Sequence, residues 1–165
     1  RESGMSGTQR IMKAWSCKVE WSDDADIVYA PTAAKARYTL KLRLGDCYPD
    51  LQFQEISARR AADRDIALPA QHRLVADLSE AERDIILHAY GHQGGRPERA
   101  GYRDHYCCAP GDSRMHRLAW ELGLFRGPFG EEDMSRSMWG GVFYYLSDLG
   151  KHVARSMLPL YGGEA

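Results

Sequence analysis

Residues 141–157 read GVFYYLSDLGKHVARSM, and the hydrophobic pattern changes its period midway through. From Gly141 to Leu146 aromatic and β-branched residues fill a short run bounded by glycine and serine, the composition of a strand. Ser147-Asp148 then offers a side-chain oxygen to the first turn of a helix. Leu149, Val153 and Met157 follow at the spacing that places them on one side of it. A strand that runs straight into a capped helix predicts a mixed α+β chain.

Working outward, Phe125–Phe129 reads as the strand that pairs with 141–146, and residues 130–138 as the loop between them. Asp112 or Ser113 caps a further helix, in which Met115, Leu118, Ala119 and Leu122 share a face and Gly123 is the stop. Upstream, Ser79 with Glu82 has the spacing of a capping box. Leu78, Ala81, Ile85 and Ala89 form the expected buried stripe of that helix, which ends near Gly91. The segment 92–104, HQGGRPERAGYRD, is too rich in glycine and charge for a core and reads as a loop.

The N-terminal half has its own pattern. Residues 12–21, MKAWSCKVEW, alternate, with Trp15, Cys17, Val19 and Trp21 on one side. Asp23-Asp24 supply a turn, and Ile27–Ala30 a second strand. Pro31-Thr32 opens a helix with Ala33, Ala36, Leu40 and Leu44 on one stripe, closed by Gly45-Asp46. Residues 51–59 alternate again, with Leu51, Phe53 and Ile56 inward. The expected organisation is a tag and disordered N-terminus over 1–9, a ββαβ subdomain over 10–62, a partly helical connector over 63–77, and a second subdomain over 78–160. Arg1–Gly4 ahead of Met5 read as a cloning remnant.

The 165 residues, 44% hydrophobic and 27% charged, suffice for a real core and exclude wholesale disorder. No run approaches the roughly 18 apolar residues of a membrane span, and no signal peptide is expected. Cys17, Cys47, Cys107 and Cys108 lack a framework spacing, so reduced thiols in a cytoplasm are expected. Residues 1–73 carry 12 Lys/Arg against 10 Asp/Glu, whereas 74–165 carry 10 against 13. The second half is therefore the acidic one.

From Arg114 to Leu158 the chain resembles the C-terminal part of a MarR-like winged helix. The residues that carry the likeness are Leu118, Leu122-Gly123-Leu124, Phe143–Leu146, Ser147, Leu149 and Gly150. In that family a helix ending in Gly-Leu feeds a β-hairpin wing, and Leu-Thr-x-x-Gly opens the next helix; Leu146-Ser147-Asp148-Leu149-Gly150 matches with Ser for Thr. The N-terminal unit and the Tyr102–Ala109 segment resemble small uncharacterised proteins of bacteriophages and prophages. The winged-helix likeness implies a recognition helix over Ser113–Leu122. Arg114 and Arg117 would meet DNA, and Arg96, Arg99 and Arg103 would add backbone contacts. Against duplex binding stands the acidic loop Glu131-Glu132-Asp133, where a wing needs lysine or arginine.

Other constellations are weaker. His88 and His92 at i, i+4, with His105, Cys107 and Cys108, match no zinc spacing, so packed histidines and buried structural thiols are expected. No nucleophile–base pairing, phosphate-cradling loop or cofactor motif is legible. Lys35, Arg37, Lys41 and Arg43 scatter around their helix as a solvated rim. Trp15, Trp21, Trp120, Trp139, Tyr144 and Tyr145 exceed what two small cores hide. Trp120 and Trp139, with Glu131, Glu132 and Asp133, are the expected interface with a protein partner or a second copy. The expected function is non-enzymatic, without cofactor or metal. It is that of a phage-type accessory protein that binds another protein, or alternatively of a DNA-binding regulator.

Overall fold

The computed structural model describes residues 8–130 and 140–162. Helices and strands are mixed, as the change of period at Leu146-Ser147 requires, and the chain is α+β. It divides into two compact units, Gln9–Leu68 and Pro69 onward.

In the N-terminal unit the order is β1 (Arg10–Met12), β2 (Ala14–Val19), β3 (Ala25–Tyr29), α1 (Ala33–Leu44), β4 (Ile56–Arg60) and β5 (Ile66–Leu68). Strands β3, β2 and β4 form one antiparallel sheet with β2 central. Cys17 and Val19 of β2 are buried against Val28, Ala36, Leu40, Leu51 and Ile56. Trp15 packs at the margin and donates its Nε1–H to the Ala30 carbonyl at 2.9 Å. Thr32 caps α1 by accepting the Lys35 amide at 3.2 Å. The expected single strand over 12–21 is broken at Lys13, and its first part joins another sheet, β1 with β5. Residues 66–68 are therefore strand and not connector. Three residues show no period of their own, and their partner Arg10–Met12 is remote in sequence. Phe53 also departs from the expected strand, sitting in a 3₁₀ turn beneath the Arg37 guanidinium, 3.9 Å from its ring centre.

In the C-terminal unit α2 (Glu80–Tyr90) is followed by β6 (His105–Cys108) and α3 (Ser113–His116), which runs on as a π-helical turn (Arg117–Glu121). Then come β7 (Phe125–Phe129), β8 (Val142–Leu146) and α4 (Asp148–Met157). The sheet is antiparallel, ordered β6-β8-β7. Its inner face, with Phe125, Val142, Tyr144 and Leu146, closes a core with Ile85, Ile86, Ala89, Met115, Leu118, Val153 and Ala154.

The three expected caps of this unit form: Ser79 and Glu82 exchange backbone hydrogen bonds, Asp112 accepts the amides at the start of α3, and Ser147 Oγ accepts the Gly150 amide at 3.0 Å. Of the expected stripe Leu78, Ile85 and Ala89 are buried and Ala81 is exposed, and the inward face is widened by Glu82 and Ile86. Glu82 turns in because it has two partners there, described below. Leu149 is exposed, and Gly150 takes its place at the core. A Cβ on Gly150 would stand 2.0 Å from the Leu124 carbonyl oxygen, so only glycine lets α4 approach this closely.

Candidate interaction surface

Strand β8 alternates strictly: Val142, Tyr144 and Leu146 enter the core, and Phe143 and Tyr145 face out. Register then decides what lies beside them. His105 and Cys107 of β6 stand opposite Tyr145 and Phe143, and Arg126 and Phe129 of β7 stand opposite the same two residues from the other side. The outer face is thus a continuous group of rings. The His105 ring centre lies 6.2 Å from Phe143 and 6.1 Å from Tyr145, and Phe129 lies 5.6 Å from Tyr145 in a T-shaped contact. Phe129, Phe143 and Tyr145 remain between 37% and 52% exposed. Cross-strand ring pairs stabilise a sheet by a few tenths of a kcal/mol to about 1 kcal/mol each, which explains their pairing but not their exposure.

The basic candidates are arranged differently. Asp112, the cap of α3, takes the Arg114 guanidinium at 3.0 Å as well as the amides of Arg114 and Met115. The Arg114 pair and these amides hold the Asp112 carboxyl below the usual carboxylate range. Arg117 reaches from the π turn to Glu82 on α2, and donates a second bond to the Asp77 carbonyl at 3.2 Å. Glu82 is buried, which alone would raise its carboxyl. Hydrogen bonds from Arg117 and from the amide and hydroxyl of Ser79 outweigh this and leave it lowered. Arg103 donates to the His105 carbonyl at 3.3 Å. Arg96 stands directly ahead of a short 3₁₀ turn, Pro97–Arg99, and Arg99 is exposed on it. Thus the two arginines on the expected recognition helix are each tied to a carboxylate. Among the described residues that helix has no companion joined to it by a short turn, since α2 is separated from it by β6.

Trp120 is 66% exposed, as its helical phase predicts, and stacks on His116 at 5.4 Å. Trp139, Glu131, Glu132 and Asp133, the rest of the expected interface, lie outside the described residues.

The histidine–cysteine constellation does not assemble. Helix α2 ends at Tyr90, and Gly91 turns left-handed at φ 88°, so His92 leaves the helical phase and is buried. Burial lowers its pKa, which keeps the ring neutral. His88 instead stacks edge-on against Tyr106, on the inner side of β6, while His105 and Cys107 face out, so Cys107 is exposed and Cys108 only half-buried, where buried thiols were expected. Among the described residues no three potential ligands stand together around a metal position.

Of the residues on this face, Tyr145 already stood among the surplus aromatics of the sequence and His105 among its metal candidates, whereas Arg126, Phe129 and Phe143 carried no sign of a surface role. The alternation of 142–146 was visible, but the strand containing His105 and the register that gathers the rings were not.

Compared with known proteins, the chain matches no family model, no curated sequence and no solved structure.

Proposed function

We propose that this chain acts without catalysis, by binding a protein partner, a second copy included, through the outer face of the β6–β8–β7 sheet. The observation that carries the reading is the gathering of His105, Phe129, Phe143, Tyr145 and Arg126 on one exposed face. Aromatic residues and arginine dominate the energetics of protein interfaces, because they bury large rigid surfaces at small entropic cost. Trp120 with His116 presents the same chemistry on α3 and the π turn that follows it. A reducing cytoplasm suits the four cysteines, all of them unpaired. Among the described residues no helix is long and apolar enough to cross a membrane. The phage or prophage accessory role rests on the likeness drawn from the sequence.

The second reading is a winged-helix DNA-binding regulator. It is favoured by one local arrangement: α3 and its π turn lead through Gly123-Leu124 into the β7–β8 pair, and Ser147 caps the next helix. Phosphate neutralisation dominates duplex affinity, and Arg114 and Arg117 are already neutralised by Asp112 and Glu82. A duplex-DNA titration at low and moderate salt separates the readings. The protein-partner reading predicts no salt-sensitive binding. Steeply salt-dependent binding that is lost in the Arg96→Ala, Arg99→Ala, Arg114→Ala variant would establish the DNA reader.

A further inference from the structure

The N-terminal unit carries a second feature, independent of the sheet face. Where β2 ends, an open cleft of about 430 Å³ is lined by Trp21, Cys47, Tyr48, Asp50, Leu51 and Glu55, among others. The Trp21 and Tyr48 ring centres are 4.9 Å apart and their planes meet at 54°, so the two rings make a corner. Both are well exposed, Trp21 at 55% and Tyr48 at 46%, and Leu51 below them is buried. Among the described residues no lysine or arginine lines the cleft, whereas two carboxylates do. One of these, Glu55, is fixed in place: its Oε2 accepts the Gln52 amide at 2.6 Å.

These pieces select a ligand by charge. The faces of indole and phenol rings carry the negative end of their quadrupole, and a cation over them gains electrostatic attraction on top of apolar contact. Asp50 and Glu55 add full negative charge to the same space, so an anion is repelled. A neutral apolar group would gain only the ring contact and would strip water from the carboxylates. An ammonium carrying methyl groups satisfies both demands, apolar contact for the rings and positive charge for the carboxylates. The size of the cleft falls in the range of small-ligand sites.

We propose that this cleft binds a methylated ammonium group, seated in the corner between Trp21 and Tyr48 and facing Asp50 and Glu55. That chemistry has two sources, a free quaternary ammonium compound and an N-methylated lysine side chain of another protein.

Calorimetric titration of the full chain tests the proposal with four probes: choline, its neutral carbon isostere 3,3-dimethylbutan-1-ol, and a short peptide with and without a trimethylated lysine. The cations bind, and the neutral isostere binds about tenfold more weakly or not at all. Trp21→Ala and Tyr48→Ala each lose about tenfold, and Trp21→Phe keeps part of it. Asp50→Asn, at an exposed position that leaves the rings in place, weakens the cations severalfold and does not weaken the isostere. Binding of choline as tight as that of the methylated peptide assigns a free compound, and a clear preference for the methylated peptide assigns a side chain. Equal binding of choline and its isostere, or no heat from any cation at tens of millimolar, overturns the proposal.

Discussion

Arg117 on the turn after α3 is hydrogen-bonded to Glu82 on α2, a carboxylate that is only 5% exposed and also serves its own helix as a capping residue. One guanidinium therefore holds two elements of the C-terminal core together, and Arg117 is a residue of the fold before it is a residue of any surface. Arg117→Ala leaves Glu82 charged and buried with only the Ser79 hydrogen bonds, whereas Glu82→Gln keeps the shape and removes the charge. The urea midpoint of Arg117→Ala falls further than that of Glu82→Gln, and the double variant is less unstable than the two losses added, as a coupled pair requires. Additive losses would show the pair to be energetically idle.

Stability should fall on acidification in two windows with the same sign. His92 is buried and its pKa lowered. The unfolded chain therefore takes up a proton near pH 6.5 that the folded chain refuses, and stability drops as pH falls through that region. Glu82 and Asp112 also have lowered pKa values in the fold. Their contribution is complete above the ordinary carboxylate pKa of about 4 and is lost as pH falls through the folded values. Urea titrations from pH 8 to 3 measure both; His72 and His88, also lowered by burial, share the upper window, so His92→Gln should shrink that window and leave the lower one unchanged.

Two glycines separate crowding from backbone conformation. At Gly150 an added methyl meets the Leu124 carbonyl at 2.0 Å, so Gly150→Ala should cost about 3 kcal/mol. At Gly123 nothing stands within 4 Å of the added atom, but φ is +66°, and Gly123→Ala should cost about 1 kcal/mol. Thermal melts of the two variants check the ordering.

Ser147 does more than cap α4, since its hydroxyl also donates to the Gly123 carbonyl at 2.7 Å. Ser147→Ala should cost about 2 kcal/mol and Ser79→Ala about 1 kcal/mol, both read from urea midpoints. Ser147→Thr, which keeps the hydroxyl, should cost much less.

Much of this architecture was legible because it is local. The two serine caps, the α1 stripe at Ala36 and Leu40, and the alternation of Trp15, Cys17 and Val19 depend only on neighbours in sequence. The misread parts depend on partners far along the chain. Strand β5 exists only because Arg10–Met12 lies beside it, and Glu82 could be placed inside only once Arg117 was seen to reach it. The candidate surface failed to show for the same reason: no local pattern announces that His105 stands opposite Tyr145, or Phe129 opposite Phe143. Likewise Trp21 and Tyr48 are separated by the whole of β3 and α1, and only the fold brings their rings together.

The central claim is that the outer sheet face, and not the arginines of α3, meets the partner. Site-specific photo-crosslinking in cells tests it most directly, with a benzophenone amino acid placed in turn at Phe143, Tyr145, Arg99 and Arg114. Protein adducts of one discrete mass are expected from positions 143 and 145, and none from 99 and 114. Adducts to nucleic acid from positions 99 and 114, with none from the sheet face, would contradict it.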